Sequence, residues 1–317
     1  MTANVAAVFL FNHRFERNVE KLEAIYADRF PRRTYLMPFA REDHPNVARV
    51  FETSWTFSGH IAQGASRFIE PGVDHYVFIS DDLILNPRLD AGNIVDALGL
   101  GARTAYIKSL AGLDALRYRW HRSLQATIAL RRLGSGFDYL RELPSADEAR
   151  LRFERMGIDF PRPVPRNMRE LAFLASRLPR SLGVLGMPWA LRLLGVGSDY
   201  PLLSGYSDFL VVPGEAIERF VTYCGVLAAL DIFAEVAVPT ALALAAEEVR
   251  TELEPGELFT DPDAARYPDF PFRGVEFWRP EETAAFADRF GRDQARLLAE
   301  FPADWLYAHP VKLSQWR

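Results

Sequence analysis

The fold of this 317-residue chain is indicated first by residues 75–82, HYVFISDD, where a short apolar run leads directly into two adjacent carboxylates. An apolar run of this length predicts a buried β-strand. A second run, VAAVFLF at residues 5–11, precedes the polar turn Asn12-His13-Arg14. Strands that are apolar throughout are typical of a sheet with both faces covered. Both segments therefore predict an α/β protein.

Helical and extended patterns alternate around these two runs. Phe15–Tyr26 carries apolar residues at helical spacing, and Arg33–Pro38 has the length of a short strand. Phe51–Phe68 is helical in pattern, and we expect Gly59 and Gly64 to break it. Strands that alternate with helices predict a mainly parallel sheet flanked by helices. We place the first half of this domain at residues 1–110.

A different pattern follows the predicted strand Thr104–Lys108. Two arginine-rich amphipathic stretches, at 118–133 and 167–194, predict a mostly helical insertion over residues 111–199. The α/β pattern resumes at residues 202–212, and the second half of the domain occupies residues 200–317. Within it we predict two helices, at 214–223 and at 228–249.

Composition excludes several classes of protein. The chain is 49% apolar and 25% charged, which is typical of a globular domain. Its single cysteine, Cys224, excludes a disulfide framework and a cysteine-based zinc cluster. No apolar stretch reaches 18 residues, and no basic segment precedes the first apolar run. We therefore expect a cytoplasmic protein.

Charge is distributed unevenly, although the net charge is only −5. Between Arg103 and Arg192 there are 17 Lys and Arg against 8 Asp and Glu. This basic insertion has two interpretations: a peripheral contact with an anionic membrane or a lipid-linked acceptor, or a helical subdomain whose arginines are solvated or paired. We do not expect a nucleic-acid partner, because the whole chain is acidic and carries no recognised binding motif.

The pair Asp81-Asp82 is the sharpest chemical signal. Ligands of open α/β sheets gather at the carboxyl ends of strands. Two adjacent carboxylates repel each other unless a cation or hydrogen-bond donors compensate them. Mg²⁺ commonly takes one or two carboxylates together with phosphate oxygens. The alternative is a structural turn in which the aspartates accept hydrogen bonds from backbone amides.

A second block supports the first. Residues 204–217, SGYSDFLVVPGEAI, and 230–240, LDIFAEVAVPT, place a glycine turn before an apolar strand, a helix and then a carboxylate. These residues are similar to the acceptor half of GT-A-fold glycosyltransferases, and Ser80-Asp81-Asp82 resembles the metal motif of that family. The resemblance covers residues 4–110 and 200–245. It implies a Rossmann-like GT-A domain in which Asp82 holds a metal, and Asp81 contacts the nucleotide ribose or shares the metal.

The same resemblance suggests further binding residues. His309 would supply another metal or diphosphate contact, and Lys312 would meet the phosphates; the alternative for His309 is a surface residue near the chain end. The turn after the first strand would receive the nucleotide base and phosphate through Phe11, Asn12, His13 and Arg14.

The catalytic base is predicted among three carboxylates. Glu235 is the first choice, because the resemblance places a carboxylate there and because it is a charge inside an apolar run. Asp208 and Asp231 are the reserves. The alternatives are a solvent-facing or arginine-bound glutamate at 235 and a plain turn residue at 208. A base on the acceptor side favours an inverting reaction.

The resemblance, taken with these residues, implies a glycosyltransferase dependent on Mn²⁺ or Mg²⁺. The donor would be a nucleotide-diphosphate sugar, with a UDP-sugar favoured, and the acceptor a glycan or a lipid-linked glycan. One alternative is a non-catalytic protein that binds nucleotide sugars or glycans on the same fold. A phosphotransferase with Asp81 as nucleophile is disfavoured, because Leu83 and Ile84 stand where that chemistry needs polar groups.

Overall fold

The computed structural model describes residues 3–113, 126, 130, 138–160, 200–261 and 263–317. The two amphipathic stretches predicted at 118–133 and 167–194 lie outside the described residues, apart from Ala126 and Leu130. Within the described part of the chain, no helix has both the length and the apolar character needed to cross a membrane.

Twelve strands are found in the described residues. In chain order they are β1 (Val5–Leu10), β2 (Arg33–Pro38), β3 (Val47–Val50), β4 (His75–Ser80), β5 (Ile84–Leu85), β6 (Thr104–Ile107), β7 (Ala111–Gly112), β8 (Leu203–Ser204), β9 (Phe209–Pro213), β10 (Glu248–Thr251), β11 (Arg273–Glu276) and β12 (Trp305–His309). The predicted strands at 5–11, 33–38, 75–80 and 104–108 are confirmed to within one residue.

Seven of these strands form the central sheet, in the order β10-β6-β9-β4-β1-β2-β3. All run in one direction except β9, which is antiparallel to both of its neighbours, β4 and β6. The protein is therefore of the α/β class, with a mixed but mostly parallel sheet, consistent with a Rossmann-like fold. The carboxyl ends of the parallel strands meet at one edge of the sheet, which is where such folds bind ligands.

The residues of β1 show why both faces of the sheet are covered. Ala6, Val8 and Leu10 belong to one hydrophobic core, whereas Val5, Ala7 and Phe9 belong to a second core on the other face. Successive side chains of a strand point to opposite faces. An uninterrupted apolar strand is thus buried on both sides.

Helices cover the two faces. They are α1 (Arg17–Tyr26), α2 (Phe57–Phe68), α3 (Ile94–Ala97), α4 (Ala146–Arg155), α5 (Ile217–Ala229), α6 (Ala234–Ala245), α7 (Pro280–Arg289) and α8 (Gln294–Ala299). Apolar residues of α2, α5 and α6 join the core that contains Leu10, and those of α1, α7 and α8 join the core that contains Phe9. The sheet is consequently enclosed between two helical layers.

The prediction that glycines break the second helix is wrong, because α2 runs through both. A Cβ atom at Gly64 would lie 2.4 Å from Cδ2 of Leu36, and one at Gly59 would lie 2.7 Å from Cγ of Glu52. Real Cβ atoms do not approach other atoms so closely. The glycines therefore allow the helix to approach the sheet and the preceding loop closely.

The prediction of one long helix over residues 228–249 is also wrong. Helix α5 ends at Ala229, a turn follows with Asp231 in the left-handed region (φ 58°), and α6 spans only Ala234–Ala245. Val249 already belongs to strand β10. The residues of α5 and α6 are mostly apolar. Hydrophobicity alone therefore could not distinguish one long helix from two helices joined by a turn.

A small sheet formed by β5 and two strands of the C-terminal segment lies beside the large one. Strand β12 pairs in parallel with β11 and antiparallel with β5, which follows β4 after a short turn. This pairing brings the end of β12 to the loop that carries Asp81 and Asp82. These strands were not predicted from the sequence.

Candidate functional site

Polar side chains from distant parts of the chain meet where β4 ends. The Asp81 amide donates to the Leu10 carbonyl at 2.9 Å, which joins the loops after β4 and β1. Because β9 runs in the opposite direction, its preceding residues lie at the same edge. The Ser80 amide donates to the Asp208 carbonyl at 2.9 Å, and the Ser80 hydroxyl to Asp208 Oδ1 at 2.6 Å.

Asp81 faces inward. Its side chain accepts hydrogen bonds from the Asn12 amide at 3.0 Å and from Nδ2 of Asn18 at 3.4 Å. Burial and the neighbouring Asp82 carboxylate raise the pKa of Asp81 to about 7. These bonds hold the β1 turn against β4, so Asp81 has a structural part at this edge; its contact with a nucleotide stays a prediction.

Three charged groups converge just outside Asp81. Oδ1 of Asp82 lies 3.2 Å from Nε2 of His309, and Oδ1 of Asp208 lies 3.9 Å from the same nitrogen. The side chains of Asp82, His309 and Asp208 are 22%, 17% and 14% exposed. The cluster is thus sheltered but still open to solvent. Asn12 also reaches it, because its Nδ2 donates to Asp82 Oδ1 at 3.3 Å.

The charge state of His309 follows from these neighbours. Burial alone would lower the pKa of the imidazole, but the carboxylates of Asp208 and Asp82 raise it to about 9. Burial raises the pKa of Asp208, and the nearby His309 opposes that shift. Two carboxylates and one imidazolium therefore leave the group with one excess negative charge when both acids are ionised, which favours a cationic ligand.

Tyr206 holds His309 from behind. The Tyr206 hydroxyl lies 2.7 Å from Nδ1 of His309 and is within hydrogen-bonding distance. Burial raises the pKa of Tyr206 well above its usual value, so its hydroxyl stays protonated. The Tyr206 ring stacks on that of Tyr307, with centroids 5.7 Å apart and planes 5° from parallel. This support limits the orientations open to the imidazole.

A buried ion pair lies behind the tyrosines. The ammonium group of Lys108 pairs with the Glu276 carboxylate and donates to the Gly274 carbonyl at 2.9 Å. The Tyr307 hydroxyl donates to the other oxygen of Glu276 at 2.5 Å. The side chains of Lys108 and Glu276 are each 6% exposed. These contacts link the end of β6 to strands β11 and β12 beneath His309.

Tyr206, Lys108 and Glu276 were not among the residues predicted from the sequence. Lys108 could have been noticed, because the chain has only three lysines and this one is the last residue of a predicted strand. Glu276 could not have been noticed in this way, because its strand lies in an aromatic and proline-rich segment with no regular period. In the sequence, Tyr206 is distinguished only by its position two residues before Asp208.

The remaining predicted catalytic residues lie on α6 and before it. Glu235 stands in the first turn of α6, half-buried, and its carbonyl accepts a hydrogen bond from the Gly205 amide at 3.1 Å. That bond brings the start of α6 next to the segment leading to Asp208. Asp231 is exposed in the turn between α5 and α6. The structure thus brings Asp208 to Asp82 and His309, and it places Glu235 on the flanking helix and Asp231 in the turn before that helix.

The predicted binding residues are spread more widely. Asn12 belongs to the cluster, whereas His13 and Arg14 are exposed on the same turn. The Phe11 ring is fully buried and packs edge-on against Tyr35, so it faces the core. Lys312 is exposed three residues beyond His309 and lines a separate cavity, described below.

Metal ligands are not pre-assembled at this edge. Across the described part of the chain, no group of three or more His, Cys, Asp and Glu side chains is arranged to hold a metal ion. Any cation at Asp82 and His309 would need further ligands from water or from a substrate.

Comparison with known proteins identifies no family. No protein-family model matches this chain, and a search of curated proteins finds no match. Its function must therefore be inferred from the chemistry and position of the residues at the sheet edge.

Proposed function

We propose that the protein is a glycosyltransferase with a GT-A-like domain, which moves a sugar from a nucleotide-diphosphate donor to a glycan or glycolipid acceptor with the help of Mn²⁺ or Mg²⁺. The observation that carries the proposal is the convergence of Asp82, Asp208 and His309. They come from the ends of β4 and β12 and the start of β9, and they meet at the carboxyl edge of a mostly parallel sheet.

The donor groups present fit a divalent cation that is shared with a substrate. Two cis ligands of an octahedral ion at about 2.1 Å lie roughly 3 Å apart, and Asp82 Oδ1 and His309 Nε2 are separated by 3.2 Å. Mg²⁺ is usually held by one or two carboxylates plus substrate phosphates, without a complete protein cage. Two protein ligands therefore suffice for this mode of binding.

Each residue of the cluster and its neighbours would then have a separate role. Asp82 and His309 would hold the cation, and His309 would first give up its Nε2 proton, because an imidazolium has no free lone pair for a metal ion. The chemistry of the cation, when bound, would be to neutralise the charge of the diphosphate leaving group. Tyr206 would keep the imidazole turned toward Asp82. Asn12, which bonds to Asp82 from the β1 turn, would orient that carboxylate.

The proposed general base is Glu235, with Asp208 as the second candidate. A base must lie within hydrogen-bond reach of the acceptor hydroxyl, separate from the groups that hold the leaving group. Glu235 meets the second condition, since it stands on α6, whereas Asp208 already lies beside His309 and accepts from Ser80. A base on that side favours an inverting displacement.

Calorimetry with UDP, GDP, CDP and dTDP, each with and without Mn²⁺, tests the donor site. We expect one nucleotide to bind in a cation-dependent manner and the Asp82→Asn variant to lose that binding. Glu70→Gln is the matched control, because this exposed carboxylate precedes β4 at the opposite edge of the sheet. Failure of all four nucleotides to bind to the folded wild-type protein would contradict the proposal.

A non-catalytic nucleotide-sugar-binding protein is the second candidate. It is favoured by the contact between His309 and Asp82, which satisfies both groups without any ligand. Turnover separates the two functions: an enzyme should release nucleotide from the bound sugar donor, and Glu235→Gln should stop release while donor binding persists. Binding without release for every acceptor class tested would favour the second candidate.

A further inference from the structure

A cavity of about 350 Å³ lies in the C-terminal part of the chain, between the start of α7 and the last residues. We call it the C-terminal cavity. Its lining combines aromatic rings with positively charged side chains, and the residues that matter here are Phe277, Trp278, Arg279, Arg292, Val311 and Lys312. Its size falls at the lower end of the range typical of small-molecule sites.

All the charged residues that line this cavity are positive. They are Arg279, Arg292 and Lys312, and the lining includes no Asp or Glu among the described residues. Arg292 contacts Asp288 at 3.4 Å, whereas no ion pair is found for Arg279 or Lys312 within the described part of the chain. Arg279 and Lys312 are exposed, so water solvates their charges and both stay accessible to an anion. The nearby Glu282 carboxylate accepts hydrogen bonds from the backbone amides of Trp278 and Arg279 at 3.0 and 3.1 Å.

Aromatic rings form the apolar part of the cavity. Phe277 and Phe286 are 4.7 Å apart between centroids, and Trp316 packs against Phe286 at 5.9 Å. Trp278 is 56% exposed although it is the largest type of apolar side chain. An exposed indole next to arginines offers a surface on which a flat ring can stack.

The C-terminal cavity is separate from the carboxylate cluster but shares backbone with it. Val311 lines the cavity, and its amide donates to the Asp82 carbonyl at 2.5 Å. Phe277 lines it as well, and its amide donates to the His309 carbonyl at 2.8 Å. Lys312 therefore belongs to the wall of a second compartment, next to the cluster that holds Asp82.

We propose that the C-terminal cavity is a binding site for a soluble phosphate ester with a flat apolar group, such as an aryl or nucleoside phosphate. Arginine and lysine bind phosphate oxygens through charge-assisted hydrogen bonds. The exposed face of Trp278 and the ring of Phe277 receive the flat group. The site needs no metal ion, and it does not depend on the glycosyltransferase proposal.

Calorimetry with phenyl phosphate, in the absence of divalent cations, tests this site. We expect the wild-type protein to bind, and the Arg279→Gln/Lys312→Gln variant to bind at least tenfold more weakly. Trp278→Ala should weaken phenyl phosphate severalfold and leave inorganic phosphate unchanged. The Arg32→Gln/Arg49→Gln variant removes the same charge from residues outside the cavity and should bind like wild type. Circular dichroism confirms that each variant is folded.

Several outcomes would overturn the assignment. They are absence of binding to the folded wild-type protein, equal weakening in the control variant, and binding to phosphatidic-acid vesicles without binding to the soluble ester. Asp82→Asn separates this site from the proposed donor site. It should abolish cation-dependent nucleotide binding and retain phenyl phosphate binding, so either proposal can fail alone.

Discussion

Two clusters of charged residues lie within the same part of this molecule and differ in balance and exposure. The cluster of Asp82, Asp208 and His309 has two carboxylates for one imidazole and is partly open to solvent. The pair of Lys108 and Glu276 is balanced and 6% exposed. A buried, balanced pair is typical of structural roles, whereas crowded like charges with solvent access are typical of ligand sites. Charge balance and access therefore distinguish the two better than burial alone.

The largest effect on stability is expected at the buried pair. Lys108→Met leaves the Glu276 carboxylate buried without its cation, which costs about 3–5 kcal/mol of unfolding free energy. Urea denaturation measures this change. Arg273→Met is the control, because it removes an exposed pair with Asp304 and should cost less than about 1 kcal/mol. Similar costs for both variants would remove the distinction between the clusters.

Substitution in the cluster of Asp82, Asp208 and His309 should instead affect ligand affinity much more than stability. Asp82→Asn relieves repulsion with Asp81 and removes a partner of His309, so we expect its unfolding free energy to change by no more than about 1 kcal/mol. Its cation-dependent nucleotide affinity should fall at least ~100-fold, which corresponds to about 2.8 kcal/mol. Urea denaturation and calorimetry on the same preparation give both values. A large loss of stability with unchanged affinity would make this cluster structural.

Tyr206 links the two regions and should show an intermediate effect. Tyr206→Phe keeps the ring stacked on Tyr307 but removes the hydrogen-bonding partner of His309. Partners behind a metal ligand affect metal affinity by roughly 10–100-fold, and we expect about a tenfold loss of cation-dependent nucleotide affinity. Tyr76→Phe is the control, since its hydroxyl contacts Glu70 at the opposite edge of the sheet. An equal effect of both variants on affinity would exclude a positioning role.

The smallest effect is a dependence of stability on pH at Glu252, which lies beside the buried pair. Burial raises the pKa of Glu252 above its ordinary value of 4.5, although Lys108 and the Gly274 amide oppose this change. A raised folded-state pKa contributes stability that is complete below pH 4.5 and is lost as pH rises through the folded-state pKa. Glu252→Gln cannot ionise, so its stability relative to wild type should increase as pH rises from 4.5 to 8. Parallel urea midpoints for the two proteins across that range would contradict this expectation.

The central strands were predictable because their residues reveal burial directly. Val5–Leu10 and His75–Ser80 are apolar at every position except His75 and Ser80, and a strand buried on both faces requires that pattern. The division of residues 228–249 into the end of α5, helix α6 and the start of β10 was not predictable, because a mostly apolar segment fits one long helix equally well. The left-handed turn at Asp231 depends on how α5 and α6 pack.

The candidate site was predictable in part. Asp81 and Asp82 follow a recognisable strand, so their position at the sheet edge could be inferred. Asp81 nevertheless faces inward to Asn12 and Asn18, whereas Asp82 contacts His309. The two aspartates are adjacent and identical in type, so the sequence does not reveal this difference in orientation. The role of Tyr206 depends on its contact with His309, a residue about one hundred positions away, and could not be inferred from its neighbours in the sequence.

The sequence by itself determined the α/β class, the strand that ends in two aspartates and the acidic balance of the chain, because these depend on local composition and period. Only the tertiary structure decided the antiparallel direction of β9, the pairing of β12 with β5 and the meeting of His309 with Asp82. These features depend on contacts between residues more than one hundred positions apart. Such contacts depend on the packing of the whole chain, which local patterns do not encode.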